Sequence, residues 1–321
     1  MAFELPIYIH GVTGRNEGSH HEQYKSFHQA ITSYRQDWPA PYCGVEWGWY
    51  PGTVLNPKSQ QLLTQAERRL GDRALSAVQD PHDFTFNLLR IAVEKFRPLM
   101  MYNFSDIFYY VSEDGKAAVR YTVAEQIVNC LKPLIGETKA PISLTFIGHS
   151  AGSLIAFDFL FYLFTERPLE EFIKPEKLAQ VVPNNSDHKQ TLTALEELKK
   201  LAMDGQLRVR RLFTFGSPIT PLAFRSDKVV EIIAQVGEGR LNAADYGLLT
   251  NPSAFGPVLK NPRWINLWDK DDVIGWPVEP LMTDTGTAIV DRYVDVSDDP
   301  TQAHTTYWND QCVHQEIATG W

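Results

Sequence analysis

Two hydrophobic periods alternate along the chain. The run LPIYI (5–9) is short, apolar and rich in β-branched and aromatic residues, and the turn-forming HGVTGRNEG follows it, which predicts a buried strand opening into a loop. Ser19 and Glu22 then stand at capping-box spacing, and Tyr24, Phe27, Ile31 and Tyr34 recur at helical offsets, predicting an amphipathic helix over 20–35. The alternating CGVEWGWY (43–50) predicts the next strand. Strand, helix, strand is the opening of an α/β structure, in which helices cover a mostly parallel central sheet.

From Pro51 to about Phe104 the pattern is mainly helical, and DIFYYV (106–111) reads as a short strand. Val119, Val123, Ile127, Val128 and Leu131 predict a helix over 118–135, closed by Pro133 and Gly136. ISLTFI (142–147) reads as a fully buried strand, and Gly152 to Phe164 as a helix apolar nearly all round, which belongs in the interior. A polar segment after Pro168 ends in TLTALEELKKLAMDG, the pattern of a solvated surface helix. Strand patterns return at RVRRLFTF (208–215), WINLWD (264–269) and IVDRYVDV (289–296). With no internal repeat and no Ser/Gly-rich linker, residues 1–321 read as one α/β domain carrying insertions at about 51–104, 168–207 and 222–262, which are candidates for a cap.

Composition narrows the function classes. A charged fraction of 21% and a hydrophobic fraction of 44% argue against disorder and for a sizeable core. The net charge of −9, with no long Lys/Arg cluster, speaks against a nucleic-acid partner, because phosphate binding needs concentrated positive charge. Cys43, Cys130 and Cys312 are odd in number, far apart and never in a CxxC pair, so neither a disulfide framework nor a zinc cluster is expected, and a reducing, cytoplasmic setting is the default. No secretory signal is visible at the N-terminus. Residues 142–164 are apolar enough to suggest a membrane span, but His149, Ser150, Asp158 and two glycines within them favour a buried strand followed by a buried helix, so no integral membrane segment is expected. His20-His21, with His10 and His28 nearby, lack a carboxylate at ligand spacing, so no metal is expected; GxxxxGK[ST] and post-strand GxGxxG motifs are absent, so nucleotide binding has no support.

The segment that carries chemistry is Gly148-His149-Ser150-Ala151-Gly152, a G-x-S-x-G motif between predicted strand and predicted helix. Glycines at both flanks let neighbouring backbone approach while the hydroxyl projects, and the following helix N-terminus favours developing negative charge. A serine hydroxyl is a poor nucleophile until a base takes its proton, and that base needs an acid partner to fix its tautomer. Asp269, Asp271 and Asp272, directly after the strand WINLW, are the candidate acids at the C-terminal edge of the sheet. Of the two histidines that follow them, His304 comes shortly after a strand, whereas His314 lies deeper in a terminal helix and reads as a packing residue. His149 reads as a packed neighbour of the turn.

Taken together, GHSAG after a buried strand, His10-Gly11 at the end of the first strand, FGSP (215–218), NLWDKDDVIGWP and AHTTYW resemble the α/β-hydrolase superfamily, most closely its lipase- and esterase-like branches. The resemblance runs from residue 10 to residue 308. It implies an α/β-hydrolase fold, a Ser150 nucleophile, a His304 base and an acid among the three aspartates. Asp272-Val273-Ile274 with Pro277 fits the lipase-like pattern best, and Asp269 is the alternative. It also implies an oxyanion hole built from the backbone N–H groups of Val12 (or Thr13) and Ala151, and no cofactor. The chain departs from the common pattern by beginning at the HG strand and by carrying long helical material over 51–104. The expected activity is cleavage of a carboxylic ester, such as a lipid or another hydrophobic acyl ester, through an acyl-enzyme. A thioesterase, amidase or acyltransferase uses the same triad, and a catalytically silent interaction protein keeps the same fold.

Overall fold

In this computed structural model residues 3–11, 19–48, 109–110, 112–137, 140–165, 167–182, 187–223, 241–242, 262–283 and 288–321 are described. Strand β1 (Phe3–Ile9) leads to helix α1 (Ser19–Tyr34) and strand β2 (Cys43–Val45). Helix α2 (Glu113–Glu137) precedes β3 (Ile142–His149) and α3 (Ala151–Phe164). Three helices, α4 (Leu169–Phe172), α5 (Pro175–Val181) and α6 (Asp187–Met203), lead into β4 (Leu207–Phe215) and the short α7 (Ile219–Ala223). Then come β5 (Leu241–Asn242), β6 (Trp264–Trp268), β7 (Met282–Thr283), β8 (Ile289–Tyr293), α8 (Pro300–Thr306) and α9 (Gln311–Gly320).

Six strands form one sheet in the order β2-β1-β3-β4-β6-β8, and every pairing within it is parallel. β5 and β7 form a separate two-stranded parallel pair. The chain steps outward from β1 to β2 and returns to place β3 on the other side of β1, so the strand order reverses between β1 and β3. Loops at the C-terminal ends of such neighbours diverge and leave a crevice, the usual ligand position in open α/β sheets.

Both faces of the sheet are covered. On one face Ile7, Ile9, Leu144, Phe146 and Leu212 pack against α2, α3 and α6 through residues such as Val123, Ile127, Ile155, Phe159 and Leu195. On the other, Tyr8, Ile147, Phe213, Phe215, Ile265 and Leu267 pack against Tyr24, Phe27 and Ile31 of α1 and Val313 and Ile317 of α9. That two-sided burial explains why β3 carries no exposed residue and reads as continuous apolar sequence. α3 buries ten of its fourteen residues, and no helix among the described residues is long and apolar enough to cross a membrane.

The structure corrects several expectations from sequence. The strand over 106–111 is not formed where it is described: Tyr109 and Tyr110 are helical, and the Ser112 hydroxyl accepts the Gly115 N–H at 3.0 Å to open α2. α2 runs through Pro133; the carbonyl one turn back that the proline leaves unpaired belongs to exposed Asn129, where water can reach it. β2 stops at Val45 because the next residues bond to side chains instead of a strand: Glu46 N donates to Gln126 Oε1 at 2.9 Å and Trp47 N to His10 Nε2 at 3.1 Å. The expectation of no disulfide is also corrected, since Cys43 at the start of β2 is bonded to Cys130 on α2, 87 residues away. A chain-distant pair is invisible to spacing rules, and the cytoplasmic expectation loses the support it drew from unpaired cysteines. Of the three suggested insertions, 168–207 supplies α4 to α6, with α6 packed on α2, α3 and β4, whereas 51–104 and most of 222–262 lie outside the described residues.

Candidate active site

The site is assembled at the C-terminal ends of β1, β3, β4 and β6. Ser150 sits between β3 and α3 with φ 52° and ψ −127°, and it is the one non-glycine residue with positive φ among the described residues. Such a backbone costs about 1–3 kcal/mol and persists only where the surroundings over-determine it. Here the Ser150 N–H donates to the Phe215 carbonyl at 3.0 Å, and the Ser150 carbonyl accepts from Ser153 N at 2.9 Å. The flanking glycines are needed for space. A Cβ on Gly152 would lie 2.2 Å from the Ile9 carbonyl oxygen, one on Gly148 would lie 2.7 Å from the Gly152 oxygen, and one on Gly11 would lie 2.6 Å from Ser150 Cβ.

Ser150, His304 and Asp272 come together in one hydrogen-bonded line. Ser150 Oγ lies 2.8 Å from His304 Nε2, and His304 Nδ1 lies 3.0 Å from both Oδ1 and Oδ2 of Asp272. All three are buried. With the ring proton on Nδ1 donated to the carboxylate, Nε2 is left as the acceptor for the serine hydroxyl. Burial alone raises the Asp272 pKa, but the hydrogen bond and charge of His304, with the N–H groups of Ile274 and Gly275, outweigh it and hold the carboxyl below its usual range. The Ile274 N–H to Asp272 Oδ1 distance is 2.9 Å.

Two further glycines make room for that acid. A Cβ on Gly275 would lie 2.4 Å from Asp272 Oδ2, and one on Gly216, whose φ is +57°, would lie 3.0 Å from the same oxygen and 3.2 Å from the His304 ring. Gly216 of FGSP and Gly275 of DVIGWP are therefore packing requirements of the Asp272–His304 pair. Asp269, the alternative acid, does not reach His304: its Oδ1 accepts from Asp271 N at 2.8 Å, and its Oδ2 from Val296 N at 2.7 Å and Ser297 N at 3.2 Å. His314 donates to or accepts nothing in the site, its Nε2 lying 2.9 Å from the Trp308 carbonyl.

Of the suggested oxyanion donors, Ala151 carries the first amide of α3, which has no carbonyl one turn back within the helix and adjoins the positive end of the helix dipole. Val12 and Thr13 lie outside the described residues. The preceding residues are tightly held: His10 Nδ1 donates to the Gly11 carbonyl at 2.6 Å, its Nε2 accepts from Trp47 N, its own N–H donates to Tyr24 Oη at 2.8 Å, and its carbonyl accepts from Trp47 Nε1 at 2.8 Å. Burial and the neighbouring His20 ring drive the His10 pKa well down, so it acts as a neutral strut.

Sequence reasoning did not find the polar network behind the acid loop. Asn266 within β6 accepts from Thr214 Oγ1 at 2.8 Å and donates to the Trp276 carbonyl at 3.0 Å and to Asp291 Oδ1 at 2.7 Å. Asp291 in turn accepts from Val278 N at 2.9 Å and Glu279 N at 2.8 Å. The signal was present: an asparagine inside the apolar run WINLW must be hydrogen-bonded if buried, which marks a loop that needs holding. Among the described residues no group of three or more His, Cys, Asp or Glu side chains is arranged to hold a metal ion. Compared with known proteins, the chain matches no family model and no curated relative.

Proposed function

We propose that this protein is a serine hydrolase with an α/β-hydrolase fold that cleaves a carboxylic ester through an acyl-enzyme. The observation that carries the reading is the Ser150–His304–Asp272 line, with 2.8 Å and 3.0 Å contacts, on a strained turn at the sheet's switch point. Ser150 Oγ attacks the ester carbonyl carbon while His304 Nε2 takes the hydroxyl proton, and Asp272 stabilises the resulting imidazolium. His304 then delivers that proton to the departing alkoxide, which leaves an acyl ester on Ser150. Water, deprotonated by His304, attacks the acyl carbon, and collapse of the second tetrahedral intermediate returns the proton to Ser150 and releases the acid. The proposed oxyanion donors are the N–H groups of Ala151 and Val12, each worth about 3 kcal/mol in such sites. No cofactor enters these steps. The substrate proposed is a small-molecule acyl ester, with a lipid-like acyl chain as the leading class.

A fluorophosphonate probe tests the reading. It is expected to label the wild type covalently and to leave Ser150→Ala unlabelled, and Asp272→Asn is expected to slow labelling by about 10³-fold or more. No labelling of the wild type, or equal labelling of Ser150→Ala, overturns it and leaves a catalytically silent protein. Turnover of p-nitrophenyl esters of increasing chain length then reads out the acyl preference, and a flat, near-zero profile in a labelled enzyme reassigns it to thioesters or amides.

A further inference from the structure

Asp269 is completely buried at the end of β6, three residues before the triad acid. Its carboxylate is satisfied by three backbone amides, those of Asp271, Val296 and Ser297. Its own N–H donates to Tyr307 Oη at 3.0 Å, and its carbonyl accepts from Asp272 N at 3.2 Å. One residue thereby joins the turn that carries Asp272, the segment running from β8 towards α8, and the tyrosine three positions beyond His304.

The geometry points to Asp269 as a positioning residue that holds Asp272 and His304 at bonding distance without touching substrate, an inference that rests on the serine-hydrolase reading above. Asp272 comes from a loop after β6 and His304 from α8; the β6–β8 ladder ends at Trp268 and Tyr293, with Val294 N donating to the Trp268 carbonyl at 3.0 Å, and does not extend to either residue. The carboxylate–amide bonds of Asp269 carry the tie past the end of the ladder to Val296 and Ser297, on the way to α8. Charge-assisted bonds of this kind are roughly twice as strong as neutral ones, and a displacement of about 1 Å in such a site costs up to about 10²-fold in rate. A carboxylate is required because both oxygens face N–H donors. An isosteric amide would turn an NH2 group towards at least one of them and push the segments apart.

Three proteins decide the matter: wild type, Asp269→Asn and Asp269→Glu, compared by kcat and KM on p-nitrophenyl butyrate, each normalised to sites titrated with fluorophosphonate. The far-downfield proton resonance of His304 Nδ1–H, which reports its bond to Asp272, is followed in parallel. Expected for Asp269→Asn is a fall in kcat per titrated site of about tenfold or more, KM within about twofold, and a shifted or lost downfield resonance. Wild-type kcat per titrated site overturns the inference, as does a lowered kcat with an unmoved resonance, because loss of folded protein lowers the number of titratable sites without changing either readout. If Asp269→Asn does not fold, Asp269→Glu decides by the same criteria, since it keeps the charge and both acceptor oxygens and displaces them by one methylene from the amides of Asp271, Val296 and Ser297. Absence of labelling in the wild type is a separate result: it overturns the hydrolase reading and the positioning role with it.

Discussion

His149 Nε2 donates to the main-chain carbonyl of His304 across 2.7 Å, so the residue before the proposed nucleophile holds the backbone of the proposed base. The two rings lie 5.0 Å apart, and His149 is stacked on Phe215. Replacing His149 with Phe keeps the ring and leaves a buried carbonyl unsatisfied, at a cost of about 1–3 kcal/mol, whereas Gln retains a donor. His149→Phe is therefore expected to lose denaturant midpoint and fluorophosphonate labelling rate, and His149→Gln to recover part of both. Equal behaviour of the two variants counts against the bond.

Acid lability follows from the same histidine. Burial, then the neighbouring His304, push the His149 pKa down from 6.5 to about 3. The unfolded chain takes up this proton below about 6.5 and the folded chain does not, so stability is lost as pH falls from about 6.5 towards 3. Asp272 acts in the same direction: its folded pKa is depressed, so the stability it contributes is present above the ordinary carboxylate value and is lost as pH falls through the folded one. Urea midpoints measured at pH 7, 5.5 and 4.5 should fall steadily, and more shallowly in His149→Gln. Parallel slopes for wild type and variant would refute the assignment.

The strained turn at Ser150 predicts that function is maintained against stability. At φ 52° a glycine is relaxed and an alanine is not. Ser150→Gly should unfold at a higher temperature than Ser150→Ala, by the equivalent of about 1 kcal/mol or more, with both variants unlabelled by fluorophosphonate. Thermal melts of the two, side by side, check this.

Gly11→Ala is expected to damage the site more than the fold. Its Cβ would sit 2.6 Å from Ser150 Cβ and 3.1 Å from the His149 carbonyl oxygen, so Ser150 must shift. Labelling should slow by about 10²-fold while far-UV circular dichroism stays that of the wild type. Wild-type labelling kinetics would show that the loop yields instead.

The Cys43–Cys130 bond closes a loop 87 residues long and joins the edge strand to α2, a junction reinforced by Gln126 Nε2 donating to the Glu46 carbonyl at 2.6 Å. Cys43→Ser/Cys130→Ser is expected to lower stability by about 2–4 kcal/mol, and reductant to do the same to the wild type but nothing further to the variant. Denaturant titrations with and without dithiothreitol measure both.

What the sequence alone determined is whatever is encoded within a few neighbouring residues. Apolar runs marked β1, β3, β4, β6 and β8, helical periodicity marked α1 and the interior α3, and two glycines around Ser150 marked the turn. The late position of His304 and the local pattern around Asp272 singled out the two residues that the structure brings into line with Ser150. Contacts between distant segments were decided only by the tertiary structure. His304 meets Ser150 across 154 residues and Asp272 across 32, and Asp269, only three residues from Asp272, faces other backbone amides because the loop turns it away. The pairing of Cys43 with Cys130, the partner of His149 and the Asn266–Asp291 support depend equally on which loops the parallel sheet brings side by side. Strand order governs that juxtaposition, and it is settled by burial on both faces of the sheet at once, a condition no local window of sequence contains.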